Sequence, residues 1–213
     1  MLDAPTLSLS DLAYWPYFTV LIAAQIFAIL NPLSVIPVFL SMTDDLDRST
    51  RRRILFRSSV AVFMICLIMA LAGNYILSFF NINIASLRVG GGILLMVIAI
   101  EMLGGLPRTK VIDQKEEVAI VPIATPLLVG PGTMTTVILL SATTPLGVLV
   151  ASIMIVAVLT YLILRYSEHL ARLIGKNGIR ALGRFMTIII SAFAAQLIYS
   201  GITDWLVSWG LIS

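Results

Sequence analysis

Long apolar runs recur along the chain and limit its fold more than any other feature of the sequence. A helix of about 20 apolar residues crosses a hydrocarbon core about 30 Å thick. Backbone groups in lipid have no water to bond, so a spanning segment must satisfy them internally, as a helix does. The sequence therefore predicts an all-α integral membrane protein with six transmembrane helices. The six runs cover about 17–42, 54–79, 87–106, 120–142, 146–165 and 183–206.

Composition supports the same class. Of the 213 residues, 59% are hydrophobic and 12% are charged, and the mean hydropathy is +1.03. A soluble domain carries about 25% charged residues. The connections between the runs are short and polar, so we expect a single membrane domain over residues 1–213. The net charge of +3 is not taken as a sign of nucleic-acid binding, because the basic residues have another use.

The basic residues lie almost entirely in alternate connections. Thirteen of the fourteen lie in or beside the connections after the first, third and fifth runs, and Arg88 alone lies on the other side. The positive-inside rule places the larger group in the cytoplasm and both termini outside. The larger group is Arg48, Arg51, Arg52, Arg53, Arg57, Arg108, Lys110, Lys115, Arg165, Arg172, Lys176, Arg180 and Arg184.

The two halves of the chain show weak internal similarity. "NPLSVIPVFLS" at 31–41 matches "GPGTMTTVILL" at 130–140 with an offset of 99, and 87–106 matches 183–202 with an offset of 96. Each half has three spans, so the second half enters the membrane from the opposite side. We therefore expect two inverted three-helix repeats, about 17–106 and 120–206, which is an arrangement typical of secondary transporters.

The first span contains residues that interrupt a helix. An interior proline costs about 3 kcal/mol, and this span holds Pro32 and Pro37 after Asn31. Asn is a good N-cap and Pro is favoured at the first helical position. We expect Asn31 to cap a half-helix that begins at Pro32, with Leu33 and Ser34 in its first turn.

The fourth span repeats this pattern. Gly130, Pro131 and Gly132 break the run, and Thr133, Thr135 and Thr136 follow. A half-helix start has free N–H groups and the positive end of the helix dipole, which favour an anion. Carbonyls freed at the preceding half-helices can hold a cation or an ammonium group. Together these groups suit an amino acid zwitterion. The simpler alternative is that Pro and Gly only kink the helices.

Two polar residues inside spans are candidates for coupling or gating. Glu101 lies 13 residues after Arg88, and Gln196 lies 12 residues after Arg184, so they are near equivalents in the two repeats. A carboxylate in the membrane is costly and is a functional candidate by default. Alternatively, Glu101 reaches the cytoplasmic interface or pairs with an arginine.

Signatures of enzymes and metal sites are missing from the sequence. It has no HExxH motif and no ATP-binding loop, and His169 has no partner at ligand spacing. Cys66 is the only cysteine, so no intrachain disulfide can form. We therefore expect no enzymatic activity, no cofactor, no metal and no nucleic-acid partner. Transport would be passive or driven by a gradient.

Three segments resemble the MarC-type family, also described as the six-helix neutral amino acid transporter family. They are "NPLSVIPVFLSMT" (31–43), "RVGGGILLMVIAIEML" (88–103) and "PLLVGPGTMTTVI" (126–138). The resemblance implies a bacterial or archaeal inner-membrane protein and, for some members, uptake of small neutral amino acids. Ser34 stands where many members have Gly, and Thr135 and Thr136 stand where members often have Thr or Ser. The motif residues carried over are Asn31, Pro32, Pro37, Gly130, Pro131 and Gly132.

The sequence thus favours a secondary transporter of small neutral amino acids that works by alternating access, with H⁺ or Na⁺ as a coupling ion. One alternative is an exporter of a metabolite or drug on the same scaffold. Another is a membrane scaffold or a passive channel. The substrate, the direction of transport, the coupling ion and the oligomeric state are all left open.

Overall fold

The computed structural model describes residues 15–43, 46–104 and 129–211, and these residues form helices without any β-strand. The all-α prediction is confirmed for this part of the chain. The helices are α1 (Trp15–Leu30), α2 (Pro32–Thr43), α3 (Arg48–Phe79), α4 (Ile84–Leu103), α5 (Pro131–Thr143), α6 (Leu146–Arg165) and α7 (Ser167–Ser208).

Within the described residues, four helical segments are long and apolar enough to cross a membrane. They are α3, α4, α6 and the Ala181–Ser208 part of α7. A fifth span results if α1 and α2, which bend by 41° at their junction, are counted together. Of the predicted fourth run, 120–142, only the part from residue 129 lies within the described residues, and α5 forms most of it.

Three helices begin before the apolar runs from which they were predicted, and polar N-caps extend two of them. α3 begins at Arg48 rather than 54, because the Asp47 carboxylate accepts hydrogen bonds from the Ser49 N–H and the Thr50 N–H at 3.0 and 3.2 Å. α4 begins at Ile84 rather than 87, because Asn83 Oδ1 accepts from the Ser86 N–H at 2.6 Å. α7 begins at Ser167 rather than 183, and Gly175 interrupts it with φ 71°.

Specific contacts fix the directions of the helices. The Ser152 hydroxyl of α6 donates to the Thr19 carbonyl of α1 at 2.9 Å, and Gly147 lies against Trp15, so α1 and α6 run parallel. Helices α4 and α7 run antiparallel, because Gly92 approaches Ala194 while Gly201 approaches Ala85. Glycine at these crossings lets the backbones come close, as in many membrane helix pairs.

Two buried clusters form the interior. The larger one joins side chains of α1, α2, α3, α5 and α6, with Phe39, Val62 and Leu149 at 0–1% exposure. The smaller one joins α1, α4 and α7. Its members are Ile29, Leu95, Ala99, Ile190 and Ala194. This smaller cluster lies beside the start of α5, and three of its members, Ile29, Leu95 and Ile190, form an apolar wall of the site described below.

Ion pairs mark the two ends of the bundle. Arg51 pairs with Glu168, which joins the start of α3 to the start of α7, and the Arg51 guanidinium lies 5.4 Å from the Phe39 ring centre. The Arg51 guanidinium lowers the pKa of the Glu168 carboxyl below its ordinary value. Arg88 pairs with Asp204 where α4 begins and α7 ends. The arginine-rich start of α3 therefore lies at the end of the bundle opposite Arg88.

Candidate functional site

The predicted break in the first span is confirmed. Asn31 separates α1 from α2 and has φ 48°. Its N–H donates to the Phe27 carbonyl at 2.8 Å. This hydrogen bond, from a left-handed residue to the carbonyl four residues before it, commonly closes the end of a helix. Asn adopts this conformation more readily than most residues, although here its side chain makes no hydrogen bond to the described residues. Pro32 then begins α2 in a new direction.

The predicted side-chain cap by Asn31 is wrong. Among the described residues, neither its Oδ1 nor its Nδ2 has a hydrogen-bond partner, although the residue is only 1% exposed. The Asn31 backbone carbonyl instead accepts from the Ser34 hydroxyl at 2.8 Å. The left-handed backbone ends α1 and leaves the side chain free of a capping role. A buried amide without partners is costly, so this one would gain from a ligand or a water molecule.

Helix α5 begins where the sequence predicts the second half-helix to start, and the predicted half-helix before it lies outside the described residues. Gly130 is the N-cap and makes no side-chain hydrogen bond, and Pro131 follows it as the first helical residue. The Met134 N–H donates to the Gly130 carbonyl at 3.1 Å. The N–H groups of Gly132 and Thr133 therefore have no acceptor within the helix. They point out of the positive end of the α5 dipole, where an anion is favoured.

Close packing of α4 needs the glycine at this helix start. A methyl group on Gly132 would lie 2.6 Å from Leu95 Cδ2 and 3.1 Å from Ile98 Cδ1. Thr133, the next residue, is 3% exposed. Gly132 thus brings the α4 side chains up to the free N–H groups of α5.

A cavity of about 210 Å³ opens at the start of α5. Drug-sized ligands occupy pockets of about 300–1,000 Å³, so this cavity suits a smaller molecule. The described part of its lining combines apolar walls with one hydroxyl, one carboxylate and the backbone of a helix start. These lining residues are Ile29, Leu95, Ile98, Glu101, Gly130, Pro131, Gly132, Thr133 and Ile190.

Glu101 and Gln196, the two coupling candidates, have different surroundings. Both side chains are exposed. Glu101 lies near the end of α4 and lines the cavity. In the described ranges no basic side chain forms an ion pair with it. Gln196 on α7 is exposed, donates to the Ser200 hydroxyl at 3.3 Å and does not line the cavity. The near equivalence of the two positions in sequence does not extend to their surroundings.

The other residues predicted to bind substrate do not line the cavity. The hydroxyls of Thr135 and Thr136 donate to the Pro131 and Gly132 carbonyls, each at 2.9 Å, and so bond within their own helix. The first break contributes Ile29, two residues before Asn31, to the lining. The other predicted residues of that break lie outside the cavity: Asn31, Pro32, Leu33, Ser34 and Pro37.

Four lining residues were missed in the sequence. Ile29, Leu95, Ile98 and Ile190 are apolar residues in apolar helices. Nothing in their type distinguishes them from side chains that face lipid. Only the placement of the α5 start relative to α1, α4 and α7 identifies them.

Comparisons with known proteins agree with the helical membrane architecture. The MarC family of integral membrane proteins matches residues 16–206. A UPF0056 membrane protein of Methanocaldococcus jannaschii is 35% identical over 204 residues, which are 90% of this chain and 97% of that protein. The UPF0056 inner membrane protein YhgN of Escherichia coli is 33% identical over 194 residues, which are 86% and 95% of the two chains. These names state a membrane location and no substrate. No solved structure matches the chain.

Proposed function

Because the chain belongs to the MarC family of integral membrane proteins, we propose that it is a secondary transporter of small neutral amino acids. The observation that carries this proposal is the cavity at the start of α5. There, the N–H groups of Gly132 and Thr133, which have no acceptor within α5, lie beside apolar walls and the exposed carboxylate of Glu101. A zwitterion with a small apolar side chain matches each of these features.

Alternating access of two inverted repeats is the proposed mechanism. The packing of the helices supports it: α2 contacts α7 as α5 contacts α4, while α3 packs on α6 and α4 on α7. This is the pattern expected if α2 corresponds to α5, α3 to α6 and α4 to α7. Transporters with inverted repeats bind substrate near mid-depth at broken helices. The α1–α2 junction is such a break, and α5 begins at Pro131 within the predicted fourth run.

The size of the cavity bears on the alternatives. An exporter of drug-sized compounds would need a larger pocket than about 210 Å³, whereas an exporter of a small metabolite would not. A passive channel would give flux that does not saturate. A membrane scaffold would have no need of a polar cavity. We therefore place a transporter of small zwitterions first and an exporter of small metabolites second.

The test is transport by the purified full-length protein in proteoliposomes. Vesicles preloaded with unlabelled alanine are given labelled small amino acids, with and without proton or sodium gradients. We expect saturable exchange of small neutral amino acids that alanine methyl ester does not inhibit, because the ester lacks the carboxylate for the α5 start. No exchange of any amino acid above protein-free vesicles would overturn the proposal, and flux that does not saturate would favour a channel.

A further inference from the structure

The cavity holds two groups of opposite polarity on neighbouring helices. Helices α4 and α5 are antiparallel, because Gly91 lies against Thr135 whereas Leu95 and Ile98 lie against Gly132. Glu101 is three residues beyond Ile98, about 4.5 Å further along α4. It therefore lines the cavity on the side toward the beginning of α5, with Gly130. The positive helix end and the carboxylate face the same small volume.

Glu101 has no positive partner in the part of the chain that the structure describes. The basic side chains that form ion pairs there, Arg51 and Arg88, bind Glu168 and Asp204 at the two ends of the bundle. An intramembrane carboxylate is rare and normally pairs with a cation or serves a transported species. The cavity is where such a cation would lie.

A second polar group in the cavity also lacks a partner. Thr133 is 3% exposed and lines the cavity, and within the described ranges its hydroxyl makes no hydrogen bond. Its neighbours Thr135 and Thr136 differ, because their hydroxyls bond to carbonyls of their own helix. A free hydroxyl on this buried residue, beside N–H groups that have no acceptor within their helix, is suited to a carboxylate oxygen, which accepts hydrogen bonds.

We propose that Glu101 binds the ammonium group of the substrate, while the N–H groups of Gly132 and Thr133 and the Thr133 hydroxyl hold its carboxylate. This assignment rests on the proposed transport of amino acids and adds the residue that selects for the amine. The substrate side chain then lies against Ile29, Leu95 and Ile190. Glu101 excludes monocarboxylates of the same size, because they leave its charge unpaired.

The KM of alanine exchange tests whether Glu101 binds the substrate or acts in coupling. A charged hydrogen bond lost from the bound substrate lowers affinity about tenfold or more, so Glu101→Gln should raise the KM by that factor. Propionate, which lacks the amine, should not compete in the wild type. In Glu101→Gln the preference for alanine over propionate should shrink by the same factor. Ser191→Ala is the control and should keep the wild-type KM, since the Ser191 hydroxyl bonds to the Ile188 carbonyl of its own helix and Ser191 does not line the cavity.

Two results would overturn the assignment. An unchanged KM in Glu101→Gln, with loss only of proton-driven accumulation, would make Glu101 a coupling residue. A lower KM would mean that its charge only repels the substrate carboxylate from the α5 start. Glu101→Asp keeps the charge and should retain selection against propionate, so it serves if Glu101→Gln fails to fold.

Ligand-induced stabilisation tests the same point without transport. Alanine should raise the melting temperature of the detergent-solubilised wild type, while Glu101→Gln should need about tenfold or more alanine for the same shift. Equal shifts in the two proteins would overturn the Glu101 assignment, and so would the absence of any shift with alanine in the wild type.

If the wild type exchanges no amino acid in vesicles, the proposed function fails. If it exchanges alanine and the substitution changes neither KM nor selectivity, only the Glu101 assignment fails.

Discussion

Asn31 is unusual in both its backbone conformation and its side-chain environment. Its backbone is left-handed at φ 48°, which most side chains adopt only at a cost of roughly 1–2 kcal/mol. Its amide is buried, and the described residues offer it no hydrogen-bond partner. The backbone requirement explains why the chain bends here, but it does not explain the amide, because glycine would bend the chain as well. For the proposed transporter, we therefore expect loss of the amide to affect transport more than folding.

Substitutions at Asn31 separate these two roles. Asn31→Gly keeps the left-handed backbone and removes the unpartnered amide, so its melting temperature should equal or exceed that of the wild type while alanine exchange slows. Asn31→Ala removes the amide as well but keeps a Cβ, so it should be less stable than Asn31→Gly by about 1–2 kcal/mol. Thermal unfolding in detergent and exchange in vesicles measure the two effects. Wild-type exchange in Asn31→Gly would show that the amide has no part in transport.

Gly90 and Gly92 provide a matched test of packing between α4 and α7. A methyl group on Gly92 would lie 2.7 Å from the Ala194 carbonyl oxygen, whereas one on Gly90 would meet nothing within 4 Å. Gly92→Ala should therefore lower stability by about 1–3 kcal/mol. Gly90→Ala should raise it slightly, since alanine favours helix. Equal melting temperatures for the two variants would contradict the close approach of α4 and α7.

The helices differ in how far the sequence predicted them. The apolar runs located α4 and α6 to within a few residues, because the membrane requires a fixed length of apolar helix. The start of α3 was missed by six residues, since Asp47 caps a turn that is rich in arginine rather than apolar. For α1 and α2, the sequence correctly predicted a break at Asn31 but gave the wrong reason for it. Asn31 acts through its backbone, which residue type alone does not reveal.

The cap of α3 makes a prediction about pH. Hydrogen bonds from Ser49 and Thr50 hold the pKa of the Asp47 carboxyl below its ordinary value, which is about 4. A lowered pKa in the folded state means that the stabilisation is complete above the ordinary pKa and is lost as the pH falls below it. Melting temperatures should therefore decline below about pH 4. Asp47→Asn also caps a helix but does not titrate there, so its decline should be smaller, and identical profiles would refute this role.

The bundle as a whole has a strongly asymmetric distribution of charge. The start of α3, the end of α6 and the start of α7 bring arginines to one end, and Arg88 lies at the other. The positive-inside rule places the first end in the cytoplasm. An impermeant thiol reagent added to intact cells should then label Ser208→Cys and spare Arg172→Cys. The reverse result would invert the proposed topology.

The candidate site was predicted only in part. Gly130, Pro131, Gly132 and Thr133 stood out because helix breakers are rare within apolar runs, and Glu101 stood out because a carboxylate there is costly. The sequence did not show that these residues share one cavity, because that depends on the close packing of Gly132 against Leu95. It also could not separate Thr133 from Thr135 and Thr136. Only the structure shows which hydroxyls bond to their own helix.

The central claim is that a small amino acid binds at the start of α5. Thr133→Cys places a thiol in the cavity, and the native Cys66 is 1% exposed, so the wild type sets the labelling baseline. Thr143→Cys, at the other end of α5 and exposed, is the matched control. Alanine should slow the modification of Thr133→Cys by a small thiosulfonate reagent and should leave the modification rate of Thr143→Cys unchanged. Equal rates with and without alanine, in a protein that exchanges alanine, would contradict it.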